Sequence, residues 1–352
     1  MKTIVFTRVP LQSQLGGEEL HTLCVANYLR DEGYRVVFAT KCKVLYKLAK
    51  DNGFKRLWLK DFPPSPTTKG SLLWFTLIFP FALIGSFIMY AFIRLRYGKA
   101  TFYMLNLSDK ILFGFWLKIF GNKAVCLEHA TIGKWLTKNP FLIILKWICR
   151  SKNIKVITVS RRMKMQLEKI FKMPVFEIRN GVKLQESLDL TNVQENQVLF
   201  VGRLEKDKGF DIVCELATQN PDINFVCAGE GSLKHLADDI SNINLVGFVD
   251  LAKLGDLYKS SSLLIAPSTT QDPFGLVVIE ALSYGCPVMC SNMVNASDYL
   301  DTQFVCRLEE FKLRFRDFFR NSSQLRKKAY QSSKEFDQQK MLSGYANFLN
   351  SL

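Results

Sequence analysis

From Leu72 to Ile93 the chain runs for 22 residues without a charge, bounded by Lys69 on one side and by Arg94, Arg96 and Lys99 on the other. By length alone such a run can cross a bilayer as a helix. Its place in the sequence argues against a simple crossing, because strand-like segments precede and follow it and would have to share one sheet on one side of the membrane. Pro80 and Gly85 near its middle predict a break into two shorter helices that dip into one leaflet and return, or a segment partly buried in the interface. The basic flanks then sit among anionic headgroups. A buried core helix is the alternative, but Trp74, Phe75, Phe79, Phe81, Phe87 and Phe92 leave no polar face for water.

The rest of the chain alternates apolar runs with helical patterns, an order that predicts parallel sheets. A strand is expected at Thr3 to Val9, a helix from about Gly17 to Glu32 and a strand at Arg35 to Thr40. A second series begins at Gln197 to Leu204 and continues through Asn224 to Ala228, Asn244 to Val249, Leu263 to Pro267 and Pro287 to Ser291. Asn180-Gly181 and the polar run Lys183 to Asn196 mark a linker. The expected fold is α/β, with two Rossmann-like domains, 1–180 and 181–336, facing a cleft. Ligands of such sheets bind outside the carboxyl ends of the strands.

Charge and cysteine usage narrow the partners. Against 32 acidic residues stand 47 basic ones, a formal charge of +15 that favours an anionic partner such as a membrane surface or nucleic acid. No nucleic-acid recognition motif accompanies it, so nucleic acid is not expected. The nine Cys show no C-x-x-C pair and no metal spacing, and several, such as Cys24, Cys214 and Cys227, fall in apolar runs. They read as reduced core residues of a cytosolic compartment. MKTIVFTRV reaches Arg8 too soon for the apolar region of a signal peptide and reads as a first buried strand.

The chemistry concentrates between Pro267 and Pro287. Asp272 precedes Pro273, a helix start with Asp as N-cap and Pro at the first helical position. Gly275 bares backbone beside unpaired N–H groups, which makes an anion site. Glu280 follows eight residues after Asp272, roughly 12 Å along a helix axis, too far for both carboxylates to act on one bond. They suit two ends of a long ligand such as a nucleotide sugar. Upstream, GRLEKDKGFD puts Arg203 and Lys208 between a strand and a helix, where two cations would neutralise a leaving diphosphate. Ala228-Gly229-Glu230-Gly231 is a G-x-G turn, and Gly16-Gly17 opens the first helix. His129 is one of three histidines and ends an apolar segment. Each has a plainer reading: an N-cap, a helix residue, a solvated charge, a tight turn or a structural histidine.

Order and spacing of these segments resemble the retaining glycosyltransferases of family 4, the glycosyl transferases group 1 of the GT-B fold. The hallmark E-P-F-G-L followed by a second Glu stands here as D-P-F-G-L with Glu280, so Asp272 replaces the usual Glu. The resemblance implies that Asp272 and His129 meet the donor sugar, that Arg203 and Lys208 hold its diphosphate, and that Glu280 holds the ribose. It implies donor contacts from Gly16, Gly17, Gly229, Gly231, Phe274, Gly275 and Leu276, with the nucleobase seated near Val246-Gly247-Phe248. Phe336 to Leu349 resembles a final helix, about 337–352, that completes the first domain.

The implied enzyme is a retaining, metal-independent transferase, since no D-x-D pair is present, with no cofactor beyond the nucleotide-sugar substrate. With the apolar run as a membrane-associating insertion, the expected acceptor is a lipid-linked saccharide or lipopolysaccharide-type glycan. The expected location is cytoplasmic, peripheral or monotopic on the inner membrane face. A soluble acceptor, or a non-catalytic nucleotide-sugar-binding protein at the membrane, is the alternative.

Overall fold

The computed structural model describes residues 2–10, 16–59, 62–129 and 138–352. The chain divides into two compact units, one running to Ile178 and including Leu342–Leu352, the other Arg179–Met341.

In the first unit, β1 (Thr3–Arg8), α1 (Gly17–Asp31), β2 (Arg35–Thr40), α2 (Lys43–Asp51) and β3 (Lys55–Trp58) precede the long helix α3 (Lys69–Tyr97). Then come β4 (Ala100–Met104), α4 (Leu107–Ile119), β5 (Ala124–Glu128), α5 (Phe141–Cys149), β6 (Ile154–Thr158), α6 (Arg161–Phe171) and β7 (Phe176–Glu177). The strands pair in parallel in the order β3-β2-β1-β4-β5-β6-β7, with Thr3 opposite both Arg35 and Ala100. All six residues of β1 are buried, as expected of a parallel strand covered on both faces. The strand order reverses between β1 and β4, which places the ligand-binding crevice of such a sheet beside the ends of those two strands.

Pro80 does not divide the apolar run. It lies inside a single helix of 29 residues that begins in a capping box between Thr68 and Ser71 and ends at Gly98, whose φ is +72°. An interior proline costs about 3 kcal/mol, but α3 is held on both sides of it. Phe75 stacks edge-on against Phe141 at 4.8 Å, while the Trp116 indole donates to the Leu83 carbonyl and Asn122 donates to the Tyr90 hydroxyl. Tertiary contact along the whole length outweighs the local break. Nor is α3 a core helix: Phe75, Ala82, Ser86, Tyr90 and Ile93 form one buried stripe, and most of the remaining surface is exposed.

The second unit repeats the plan with β8 (Gln194–Val201), α7 (Phe210–Gln219), β9 (Asn224–Ala228), β10 (Ile243–Gly247), α8 (Leu251–Ser260) and β11 (Ser261–Ala266). After these come α9 (Leu276–Ser283), β12 (Val288–Ser291), β13 (Val305–Cys306) and α10 (Phe311–Ser333). Its parallel order is β10-β9-β8-β11-β12-β13, again reversing at one point, between β8 and β11. The last helix, α11 (Gln338–Ser351), belongs to the first unit from Leu342 onward. There Asn350 accepts from Tyr34 at 2.5 Å and from Lys2 at 2.9 Å, and Phe348 packs on Phe176. The nine cysteines are free thiols, eight of them buried.

Candidate functional site

Two loops flank the reversal point of the second sheet. The first leaves β8 through Gly202 and Arg203 and makes a 3-10 turn, Lys206–Lys208, closed by Gly209 in the left-handed region. The second leaves β11 and carries Asp272. They are tied together, because Thr269 donates its amide to the Asp207 carbonyl and its hydroxyl to the Lys206 carbonyl. Lys208 Nζ lies 2.5 Å from Asp272 Oδ2, with both side chains largely buried. The cation expected at the diphosphate and the carboxylate expected at the sugar therefore meet each other.

Asp272 is not the N-cap that Asp-Pro suggests. The helix begins at Leu276, three residues past Pro273, behind Gly275 with φ +86°. Asp272 instead closes a local turn, Oδ1 accepting from the Phe274 amide at 3.2 Å, while its backbone bonds to Met293 and Asn295. Fully buried Asn295 supports the loop from behind, donating to the Pro273 carbonyl and accepting from Gln271. Gly275 is required: a Cβ there would lie 2.3 Å from Val294 Cγ1. The first turn of α9 offers the backbone amides of Leu276 and Val277, which have no acceptor within the helix. Glu280 lies on the same helix and accepts from the Tyr258 hydroxyl at 2.9 Å. Burial raises its pKa, and the Tyr258 bond opposes the rise.

The remaining positions in this unit divide into open and internal. Arg203 is exposed and paired with Asp207 at 2.5 Å. Phe248 follows β10 and is 74% exposed. Phe274, by contrast, is buried against Phe336 and Tyr299, so that position offers a ligand backbone only. Gly229 and Gly231 answer to packing: a Cβ on Gly229 would fall 1.8 Å from the Gly202 carbonyl oxygen, and one on Gly231 would fall 2.3 Å from that of Leu204.

In the first unit, Gly16 is the N-cap of α1 and Gly17 its first residue. Gly16 has φ −156°, extended backbone that makes no demand for glycine. Glu18 and Glu19 in the first turn both pair with Arg8 at the end of β1, and Arg8 also reaches Cys42 Sγ at 3.0 Å. His129 follows β5, its ring edge-on to His21 at 4.6 Å. Both ring nitrogens of His21 and Nε2 of His129 are buried and find no hydrogen-bond partner among the described residues. Burial, then the positive charges of Lys110 and Arg8, push the His129 pKa down to about 3. His21 is lowered well below its usual value, first by burial and then by His129. Both imidazoles are neutral at physiological pH.

Next to this pair, buried Lys110 bridges Glu128 at 2.8 Å and donates to the Leu127 carbonyl. Asp109 accepts from Thr7 at 2.6 Å and from the amides of Leu105 and Asn106, and burial lifts its pKa to about 6 against the Thr7 bond. Sequence reasoning missed Arg8, Asp109 and Lys110 as a cluster. The available signal was a charge at the edge of an apolar run. Among the described residues no group of three His, Cys, Asp or Glu is placed to hold a metal ion.

Residues 187–335 match the family described as Glycosyl transferases group 1. An uncharacterized 42.6 kDa protein in the cps region of Klebsiella pneumoniae is 37% identical over 123 residues, 34% of this chain and 32% of that protein. The phosphatidyl-myo-inositol mannosyltransferase of Mycobacterium tuberculosis is 27% identical over 231 residues, 57% of this chain and 60% of the relative. The chain thus spans less than two thirds of the length of either relative. Among solved structures, HepE of Anabaena in complex with UDP aligns over 100% of both chains with a TM-score of 0.78 at 17% identity. That likeness fixes the fold as GT-B, and the Glycosyl transferases group 1 match falls within the second unit.

Proposed function

We propose that the protein is a retaining, metal-independent glycosyltransferase of family 4. It moves a hexose or N-acetylhexosamine from a nucleotide sugar to a lipid-linked saccharide or lipopolysaccharide-type acceptor at the cytoplasmic face of a membrane. The observation that carries this reading is the Lys208–Asp272 pair, 2.5 Å apart on loops that flank the reversal point of the second sheet, inside the matched domain. Ligands of doubly wound sheets bind at that place.

In this reading Lys208 and Arg203 neutralise the diphosphate, helped by the positive end of α9. Asp272, released from Lys208, accepts from donor-sugar hydroxyls, and Glu280 accepts from the ribose. The bond from the anomeric carbon to the phosphate oxygen breaks as the acceptor oxygen bonds to that carbon on the same face. The acceptor's proton passes to the departing phosphate. His129, being neutral, offers the sugar a hydrogen bond without competing with the phosphate cations. UDP in the Anabaena relative and the phosphatidyl-inositol named in the mycobacterial relative support a nucleotide-sugar donor and a lipid acceptor.

The test is transfer with EDTA present, followed by NMR of the anomeric proton in the product. Retained configuration at an unchanged rate is expected; inversion, or loss of activity with EDTA, contradicts the mechanism.

A further inference from the structure

Helix α3 turns its apolar surface away from the protein. The buried stripe from Phe75 to Ile93 faces α4 and α5, while Leu73, Leu77, Phe81, Ile84, Ile88 and Phe92 point the other way and are exposed, Phe81 to 76% and Ile88 to 64%. A surface helix of a soluble domain has the opposite polarity. The exposed patch does not stop at α3. Phe87 packs on Trp116 and Phe120, Phe115 packs on Trp147, and exposed Ile119, Phe120, Ile143 and Trp147 extend the patch over α4 and α5. Contiguous exposed apolar surface of this kind marks an interaction site.

Charge identifies the occupant. Between Phe62 and Leu167 the only Asp or Glu residues are Asp109 and Glu128. Asp109 is fully buried, and Glu128 is bridged to Lys110. Lys69 lies at one end of α3, Arg94, Arg96 and Lys99 at the other, and Lys118 caps Trp147. A second copy of this face would meet the first with like charge. An anionic bilayer meets it with apolar chains beneath and opposite charge at the rim.

We propose that α3, with the exposed ends of α4 and α5, is a monotopic docking face that lies flat in the interface of an anionic bilayer. The helix does not cross, because its buried stripe holds it to the protein from Phe75 to Ile93 and its two ends lead into strands β3 and β4 of one sheet. This refines the membrane partner of the function proposed above and rests on that reading only for the purpose of the contact.

The experiment uses the full chain with vesicles of phosphatidylglycerol or phosphatidylcholine, and spin labels at Leu73, Ile84 and Leu95 in a Cys24→Ser background. Cosedimentation with phosphatidylglycerol is expected, with less on phosphatidylcholine, and the three labels at one depth. The double variant Phe81→Asp/Ile84→Asp removes two large apolar side chains from lipid and should weaken partitioning by at least about 100-fold, with thermal melting unchanged. Absence of vesicle binding overturns the proposal. So does a label profile with Ile84 at the bilayer centre and the other two at opposite headgroups, or a dimer in solution that the double variant dissociates. Donor hydrolysis in the same preparation separates the two readings, since lipid binding without nucleotide binding removes the transferase assignment and leaves the docking face standing.

Discussion

The two sheets share one strand order over six strands, the first adding β7 at its edge, yet the ends of their strands differ in kind. At the first, Arg8, Glu19, Asp109 and Lys110 are buried, and each is satisfied by partners within its own unit. At the second, Arg203 is exposed, and Lys208 and Asp272 stand on loops and, among the described residues, pair only with each other. A buried charge set with all its partners is a framework; removing one member leaves the rest unpaired in low dielectric. A loop-borne pair that a ligand can exchange is a binding device. The same topology therefore carries a buried charge cluster beside two neutral imidazoles in one unit and, in the function proposed above, an anion site in the other.

That contrast breaks first at Arg8. Arg8→Ala strands Glu19, and about 3 to 5 kcal/mol of stability should be lost, read as a large fall in thermal midpoint. A midpoint within a degree or two of the parent would show that the first cluster is no framework. Lys208→Ala is expected to invert the balance, costing less stability than Arg8→Ala because its pair with Asp272 is more exposed, and reducing turnover on the order of 100-fold through lost stabilisation of the leaving phosphate. Steady-state kinetics beside a melting curve decides it.

Acid sharpens the comparison. The native pKa of His129 is about 3 against an ordinary value of 6.5, so its contribution to stability is fully present above about pH 6.5 and is lost as pH falls toward 3. Between pH 7 and 5 that amounts to about 2 kcal/mol, and His21 acts in the same direction. His129→Gln should flatten the acid limb of a midpoint-against-pH curve; an unchanged slope contradicts burial as the cause. The smallest effect belongs to Asp272→Glu, which adds one methylene to the side chain bridged by Lys208. Donor affinity should change several-fold or less, measured by titration, with melting unaffected.

Local pattern and motif order made most of the fold legible. Asn224–Ala228 came out as read and the first helix lay within a residue of its expected end, while Arg203, Lys208, Asp272 and Glu280 were singled out by motif order together with the family resemblance. What escaped the sequence was non-local. Asp-Pro signals a helix start, but the Asp272 carboxylate is claimed by a lysine 64 residues upstream and by the Phe274 amide, and the helix waits for Gly275. Pro80 signals a break that contacts from α4 and α5 override. The Thr7–Asp109 bond joins residues 102 positions apart, a separation at which no local pattern speaks. Gly229 and Gly231 stand in a G-x-G turn, and no local pattern tells that the carbonyls of Gly202 and Leu204 exclude a side chain there.

The central claim is that Lys208 and Asp272 exchange each other for a nucleotide sugar. Its most direct measurement is the thermal shift of the parent and Lys208→Ala across UDP-, GDP- and ADP-sugars in detergent, followed by donor hydrolysis for any that stabilise. A selective shift with slow hydrolysis in the parent, much reduced in the variant, is the predicted result. Equal shifts in both proteins, or none with any nucleotide, would contradict it.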